Sequence, residues 1–237
     1  MIETNYSIIG KDVVIAEDTQ IGDFVEIKNA IIGKGVKIKS GVKIGGEPED
    51  RNYSEKNGKV IIKDGAIIFE YATIHSATGD DNTIIGENSM IMAYVHIAHN
   101  CKLGKNVTVV NGSQIAGYVE IGNHAFIGGI SGIHQYTKIG SYAFLGAFSY
   151  LTKDLPPFFS ATGIPAKLKG INKVGMERSG FSSEEIKFMR KVFYKLHIKM
   201  LSLKEFIEFL KQNERNFKRI AIPFISFIER SKRGILR

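Results

Sequence analysis

The sequence predicts a solenoid of short parallel β-strands over residues 1–155, a connecting segment over 156–181 and a C-terminal α-helical domain over 182–237. An aliphatic residue recurs at every sixth position through most of the first part, and a period of six fits neither a helix nor an alternating strand. Glycine often follows the aliphatic residue, and glycine and asparagine supply the backbone conformations of tight turns. Beyond residue 181 the apolar spacing becomes that of amphipathic helices.

The longest series of aliphatic hexads contains Ile85, Ile91, Ile97, Leu103, Val109, Ile115, Ile121, Ile127, Ile133, Ile139, Leu145 and Leu151. Shorter series precede it, from Ile9 to Ile27, from Ile32 to Ile44 and from Ile62 to Ile74. In a solenoid these side chains point inward and form one continuous core. The pattern is a hexapeptide repeat and resembles that of left-handed parallel β-helix proteins, in which three hexads form one triangular coil of 18 residues. The left-handedness is implied by the resemblance.

Two polar stretches interrupt the hexads, at residues 47–59 and 76–83. Loops that leave a rigid solenoid are frequent binding segments, although such insertions are also tolerated without any function. We expect Pro156, Pro157 and Pro165 to end the ladder of strands and to form a linker.

The C-terminal domain carries two helix start signals. Ser182 with Glu185, and Ser202 with Glu205, form capping-box patterns before apolar residues at helical spacing. These apolar residues are Ile186, Met189, Phe193 and Leu196 in the first run, and Phe206, Phe209 and Leu210 in the second. We expect a third helix to follow Pro223. The domain is strongly basic, which suits either docking of an acidic protein or a solvated helix face.

Composition narrows the class of protein. The net charge of +8 indicates an acidic partner or a bias toward solubility. A single cysteine cannot form an internal disulfide, the N-terminus lacks the features of a signal peptide, and no apolar run is long enough for a transmembrane helix. We therefore expect a soluble cytoplasmic protein.

Stacking of 18-residue coils brings polar residues of distant sequence position together. His99 lies under Gly117, with Gln135 above, and His96 and His134 lie at the same corner. Gly117 has no side chain and leaves its backbone N–H accessible. A base beside an exposed amide donor is the arrangement that acyl transfer requires.

Two further interpretations of the histidines stay open at this point. The γ-class carbonic anhydrases resemble this solenoid and bind zinc through histidines between subunits, but the amides Asn100 and Gln135 beside the candidate histidines are unsuited to a metal site. The histidines could also be purely structural. Cys101 is most simply a small buried residue. We expect no metal.

Ordered motifs carry a more specific resemblance. "TIH" at 73–75, "HIAHNC" at 96–101, "GGISGIHQY" at 128–136, "RSGFS" at 178–182 and "RSKRGILR" at the C-terminus occur in this order. With the helical tail, they closely resemble the acyl-carrier-protein-dependent UDP-N-acetylglucosamine O-acyltransferases, which catalyse the first step of lipid A synthesis. The resemblance implies transfer of an acyl chain, in these enzymes a 3-hydroxyacyl chain, to the 3-hydroxyl of the sugar.

The resemblance also implies roles for individual residues. His99 matches the general base and Gly117 the backbone donor to the oxyanion. Ala147 matches the residue that sets acyl length. The residues that match substrate-binding positions are Asp50, His75, His96, His134, Gln135, Asn172 and Arg178. The acyl donor is expected on the phosphopantetheine of acyl carrier protein, without a further cofactor, in a homotrimer that binds a UDP-amino sugar and no nucleic acid.

The sequence departs from the family pattern at four positions. Asn52 stands where a lysine is usual, Tyr118 where a histidine is frequent, Ser179 where a second arginine is frequent, and Asn100 where an aspartate is frequent. A related UDP-amino sugar, acylated on oxygen or nitrogen, would use the same base and oxyanion donor. An acetyl-CoA-dependent acetyltransferase is also compatible with the hexads, as is a non-catalytic solenoid that binds a lipopolysaccharide precursor or a protein.

Overall fold

The strands of the computed structural model form three sheets that make the sides of a triangular prism. The structure describes residues 6–51, 53 and 58–237. Up to Leu151, successive strands along the chain belong to the three sheets in turn, so each sheet contains every third strand and consecutive members pair in parallel. The last two strands both join the third sheet, and the final one pairs antiparallel with its predecessor. The repeat therefore produces a parallel β-helix.

Strands are numbered in chain order. Sheet A contains β1 (Ile8–Ile9), β4 (Glu26–Ile27), β7 (Lys43–Gly46), β10 (Thr73–His75), β13 (His96–Ile97), β16 (Gln114–Ile115), β19 (Gly132–Ile133) and β22 (Tyr150–Leu151). Sheet B contains β2 (Val14–Ile15), β5 (Ala30–Ile32), β8 (Lys59–Ile62), β11 (Asn82–Ile85), β14 (Lys102–Leu103), β17 (Glu120–Ile121) and β20 (Lys138–Ile139). Sheet C contains β3 (Gln20–Ile21), β6 (Lys37–Ile38), β9 (Ile67–Ile68), β12 (Met90–Ile91), β15 (Thr108–Val109), β18 (Phe126–Ile127), β21 (Phe144–Leu145), β23 (Phe159–Thr162) and β24 (Lys167–Ile171).

The predicted inward position of the hexad residues is confirmed for the coils between Ile27 and Leu151. Ile97, Val109 and Ile115 are fully buried, as is each aliphatic residue of the long series to within a few per cent. Because side chains alternate along a strand, the residue before each of them points outward. These outward positions differ among the sheets: sheet A carries His96, and sheet B carries Lys102.

The corners of the prism contain residue types beyond the expected glycine and asparagine. Asparagines such as Asn100 and Asn106 hold the left-handed backbone conformation there, as expected, but Tyr94, Tyr118 and Tyr136 hold it as well. Their rings stack from coil to coil at two different corners: Tyr94 stacks on Tyr71 with centroids 5.2 Å apart, and Tyr118 stacks on Tyr136 with centroids 4.7 Å apart. This stacking offsets the steric cost that a left-handed backbone imposes on a side chain larger than glycine.

The expectation that prolines end the ladder is wrong. Pro156 and Pro157 lie in a turn, and β23 then pairs in parallel with β21. Pro165 lies in the connection between β23 and β24, which form an antiparallel pair. A proline lacks a backbone donor but fits a turn, so the sheet continues on either side of it.

The helices are α1 (Lys173–Arg178), α2 (Ser183–Phe193), α3 (Leu203–Asn213) and α4 (Lys218–Arg230), with a π-helical turn at Tyr194–Ile198. Both predicted capping boxes are present, at Ser182 and Ser202. The predicted start of the third helix is wrong, because α4 begins before Pro223 and contains it. A proline this close to the helix start removes only the bond to the carbonyl of Arg219, and the buried apolar face of α4 retains the helix.

The C-terminal segment returns to the last coil of the solenoid at Asp154. This carboxylate is fully buried and accepts hydrogen bonds from the Lys138 backbone, at 2.7 Å, and from the Ser231 hydroxyl, at 2.6 Å. The Leu236 backbone donates to the Asp154 carbonyl at 2.8 Å. The helical domain is therefore anchored to the β-helix at its far end. No helix in the described part of the chain is long and apolar enough to cross a membrane.

Candidate active site

A cleft of about 700 Å³ lies over sheet A, where the polar residues predicted from the coil register come together. Its lining includes Asp50, His96, His99, Gly117, His134 and Gln135 of the predicted set. It also includes Glu49, Arg51, Gln114 and Tyr150, which the sequence analysis did not assign to the site. Two of these could have been found from the register, because His96, Gln114, Gly132 and Tyr150 pair in succession along sheet A.

His99 and Gly117 are in direct contact. The His99 side chain is buried, and its imidazole occupies the space that Gly117 leaves. A Cβ added at Gly117 would lie 2.7 Å from both Nε2 and Cε1 of the ring. Among the described residues, the Gly117 N–H donates to no carbonyl or side chain. An unpaired donor therefore lies next to the imidazole, as the sequence predicted.

The second ring nitrogen of His99 is hydrogen-bonded. Its Nδ1 lies 2.9 Å from Oδ1 of Asn100, whose side chain is also buried. Tyr118, from the next coil, packs the edge of its ring against the imidazole, with centroids 5.1 Å apart. Two of the departures from the family pattern thus contact the candidate base directly.

His75 of the predicted set does not line the cleft, but it packs against His96, which does. Their rings meet edge to face with centroids 5.0 Å apart, and His96 Nδ1 lies 2.8 Å from Oγ1 of Thr73. Burial lowers the pKa of His96, and the positive charge of a protonated His75 or His99 would lower it further. The carboxylate of Glu49, 3.7 Å from Nε2, acts on the pKa in the opposite direction. Nδ1 of His75 is buried without a hydrogen-bond partner in the described part of the structure.

His134 presents an uncommitted nitrogen to the cleft. Its Nδ1 lies 3.1 Å from the Gln135 carbonyl oxygen, which can only accept, so Nδ1 carries the proton. Nε2 of His134 is therefore an acceptor. With the Asp50 carboxylate, it makes the cleft suitable for hydroxyl and amide groups of a polar ligand.

The structure does not bring Asn172, Arg178 and Ala147 to this cleft. Asn172 caps α1 and donates to the Tyr142 carbonyl, at the corner between sheets B and C, and Arg178 is exposed at the end of the same helix. Ala147 is exposed at the corner between sheets C and A. Ser179, the third departure, ends α1. Asn52, the fourth, lies outside the described residues.

The described residues offer no cluster of metal ligands. No group of three or more histidine, cysteine, aspartate or glutamate side chains is placed to hold a metal in the ranges described. The Cys101 thiol is fully buried and donates to the Ala116 carbonyl at 3.1 Å, and burial raises its pKa to about 12. The interpretation of Cys101 as a small buried residue is confirmed.

Comparisons with known proteins point to one family of acyltransferases. Residues 154–236 match the family model described as UDP-N-acetylglucosamine O-acyltransferase, domain 2. Residues 82–117 match the bacterial transferase hexapeptide model, and residues 3–68 match the GlmU-like C-terminal hexapeptide model. The acyl-[acyl-carrier-protein]–UDP-N-acetylglucosamine O-acyltransferase of Thermodesulfovibrio yellowstonii is 43% identical over 98% of this chain and 91% of its own.

Solved structures agree over nearly the whole chain. The UDP-N-acetylglucosamine acyltransferase of Francisella novicida has a TM-score of 0.88 at 34% identity, and the two chains are covered to 99% and 94%. The enzyme of Acinetobacter baumannii has the same TM-score at 33% identity, with 98% of each chain covered. The expected left-handed β-helix with C-terminal helices is confirmed by this likeness.

The fold and the cleft thus define a hexapeptide-repeat acyltransferase. Within that class, the chain belongs to the UDP-N-acetylglucosamine O-acyltransferase family.

Proposed function

We propose that this protein transfers an acyl chain, by the family resemblance a 3-hydroxyacyl chain, from acyl carrier protein to the 3-hydroxyl of UDP-N-acetylglucosamine, the first step of lipid A synthesis. The observation that carries the proposal is the contact between the His99 imidazole and Gly117 inside the cleft on sheet A. Family membership supplies the substrate class, and the cleft supplies a base and an oxyanion donor.

Two groups carry the proposed reaction, the Nε2 atom of His99 and the backbone N–H of Gly117. Nε2 of His99 takes the proton of the sugar hydroxyl as that oxygen attacks the thioester carbonyl. The Gly117 N–H donates to the negative oxygen of the tetrahedral intermediate. Collapse of the intermediate breaks the carbon–sulfur bond, and the imidazolium returns its proton to the leaving thiolate. The products are the sugar ester and the free phosphopantetheine thiol, with no net change at His99.

The remaining residues of the cleft would bind the sugar. Asp50 can accept from sugar hydroxyls, and His96 and His134 each offer a nitrogen to a hydroxyl or amide. Gln135 completes the polar edge, and His75 packs against His96. A pKa of His96 below the usual value supports binding through its neutral form at pH 7.

A homotrimer would unite the predicted site residues that lie apart in one chain. The cleft is on sheet A, whereas Asn172 and Arg178 lie at the corner between sheets B and C. Sheet C presents Met90, Phe126 and Phe144 outward, with Thr108 among them, and this part of its face is more apolar than that of sheet A. Packing of this face against sheet A of a neighbour, repeated around a three-fold axis, would carry the nucleotide-binding residues toward the neighbour's cleft. Ala147, at the corner shared by sheets C and A, is then placed to limit acyl length.

The helical domain supports a carrier-protein partner. Lys187, Arg190, Lys191 and Lys199 are exposed on α2 and just after it. An acidic carrier would be attracted to this surface, and its phosphopantetheine arm would reach the cleft between subunits. We also propose the division of the chain into a β-helix acyltransferase domain over 1–155, a linker and nucleotide-contact segment over 156–181 and a C-terminal helical docking domain over 182–237. The middle segment adds β23 and β24 to sheet C, so it continues the β-helix structurally. We place the protein in the cytoplasm, where acyl carrier protein and nucleotide sugars are available.

The activity is tested by incubating the protein with a panel of acyl carrier proteins, acyl-CoA thioesters and UDP-sugars and measuring product mass. We expect an ester of UDP-N-acetylglucosamine from the carrier donor. An amide product would indicate a UDP-3-amino sugar, and use of acetyl-CoA would indicate an acetyltransferase. His99→Ala should lower kcat by about 10²–10⁴-fold with the UDP-sugar Kd nearly unchanged, because the loss is in the transition state. Retention of more than about a tenth of wild-type kcat would contradict the base assignment.

Subunit complementation tests the trimer. We expect His99→Ala and Arg178→Ala chains to be weakly active alone. Co-refolded chains should regain activity, because some interfaces then combine an intact His99 with an intact Arg178 of the neighbour. A monomer in light scattering, or mixed chains no more active than their average, would refute the shared site.

A further inference from the structure

The loop at residues 76–83 contacts Asn100, the residue whose side chain bonds the His99 ring, although no residue of the loop lines the cleft. The contact to the Asn100 side chain is made by Thr78. Three hydrogen bonds join the two residues. Thr78 N–H and Oγ1 both donate to Asn100 Oδ1, at 2.9 and 3.1 Å, and Asn100 Nδ2 donates to the Thr78 carbonyl at 3.2 Å.

The backbone groups of Thr78 decide which way the Asn100 amide points. A backbone N–H can only donate and a carbonyl can only accept, so Oδ1 must face the first and Nδ2 the second. If the amide were flipped, Nδ2 would face the Thr78 N–H, two donors together, and Oδ1 would face the Thr78 carbonyl, two acceptors together.

This orientation determines the tautomer of His99. Oδ1 of Asn100 is an acceptor, and it lies 2.9 Å from His99 Nδ1, so Nδ1 carries the proton. Nε2 is left with its lone pair, on the side of Gly117. We propose that Asn100, held by Thr78, is a positioning residue that keeps His99 in its Nδ1–H form, the form in which Nε2 can act as a base. The inference rests on the proposed role of His99.

Tyr118 extends the same chain of hydrogen bonds. Its hydroxyl lies 2.9 Å from Thr78 Oγ1, whose own proton is used toward Asn100, so Tyr118 donates. Three donors then converge on one amide oxygen: two from Thr78 and one from His99. The neutral Asn100 amide thus accepts the Nδ1 proton of His99 without a carboxylate beside the imidazole, and the hydrogen bonds to Thr78 hold the amide in place. The polar interruption of the hexads thus has a use that its sequence does not reveal.

The tautomer can be observed directly with ¹⁵N-histidine NMR of the full-length protein, with His99→Gln to assign the signal. The wild type should show His99 with a protonated Nδ1 and an unprotonated Nε2. Asn100→Gly suits the left-handed backbone at this position, where φ is +58°, and removes the acceptor. We expect loss of the Nδ1–H pattern, and kcat about 10- to 100-fold lower with KM for UDP-sugar within about threefold. Asn100→Asp keeps the acceptor and should keep the tautomer.

A matched pair of variants separates positioning from stability. Thr78→Pro removes both donors to Asn100 Oδ1, the backbone N–H and the hydroxyl. Thr83→Val removes a hydroxyl that accepts from the Asn100 backbone N–H at 2.9 Å and does not touch the amide. We expect Thr78→Pro to weaken the Nδ1–H pattern and to lower kcat several-fold, and Thr83→Val to lower Tm alone.

An Nδ1–H pattern that persists in Asn100→Gly would overturn the proposal, as would equal effects of the two threonine variants on the tautomer. If Asn100→Gly does not fold, the threonine pair decides. Because the NMR pattern is read without substrate, it is independent of the activity test. An active His99→Ala enzyme would refute the general base while leaving the tautomer result intact.

Discussion

Gly117→Ala is the most direct perturbation of the site. The new Cβ would lie 2.7 Å from two atoms of the His99 ring, and ordinary contact begins near 3.4 Å, so the ring must move by about 0.7 Å or more. This displacement also strains the 2.9 Å bond from Nδ1 to Asn100. A misplacement of about 1 Å can lower a rate about 10²-fold, and we expect a loss of that order in kcat with little change in KM.

Steady-state kinetics measure the expected loss of kcat, and thermal unfolding shows whether the variant is also destabilised. Gly129→Ala is the control, because its Cβ would meet the Asn111 carbonyl and the Val110 side chain at 3.2 Å, a tight but less crowded position outside the cleft. The control should lower Tm somewhat and leave kcat near wild type. A Gly117→Ala enzyme with kcat within about threefold of wild type would refute the idea that the glycine exists to admit the imidazole.

Three further predictions concern different parts of the molecule. Ala147→Gly should shift donor preference toward longer acyl chains by several-fold to tenfold, since each methylene is worth about 0.8 kcal/mol; an unchanged chain-length profile would remove Ala147 from the acyl site. Cys101, with its pKa raised to about 12, should not react with a thiol reagent at pH 8 until the protein unfolds, and fast labelling of the native protein would contradict its burial. His96 should make the fold less stable in acid: its folded pKa is lowered, so the unfolded chain binds the proton first as pH falls below about 6.5. His96→Gln should therefore lose less Tm than wild type between pH 7.5 and 5.5, and parallel losses would argue against the shift.

The register of the coils was predictable because one rule repeats. Once three hexads make a coil, the pairing of His96 with Gln114 and of Gln114 with Gly132 follows from counting, and the structure has both pairs. The His99–Gly117 contact follows in the same way. A local pattern predicts long-range contacts here because every coil lies directly on the one before it.

The features that escaped prediction depend on contacts outside the repeat. The hexads contain no sign that Thr78 orients Asn100, since the loop that carries Thr78 is irregular. Pro223 was assigned as a helix boundary from its lack of a donor, but the buried face of α4 outweighs one missing hydrogen bond. Asn172 and Arg178 matched substrate-binding positions of the family, and such a match does not tell where in the fold the two residues lie.

The ladder also determines how such a chain can change length. Lys43 pairs with Thr73, and Thr73 with His96, although the sequence distances, from 43 to 73 and from 73 to 96, exceed one regular coil by different amounts. The extra residues lie in the two polar loops, and each strand rejoins the sheet in phase. An insertion inside a hexad would instead turn every later aliphatic residue outward. Natural variants and engineered fusions should therefore keep the fold when segments are added at these two loops away from Asp50 and Thr78, whereas the regular strands between the loops should accept only insertions of whole coils.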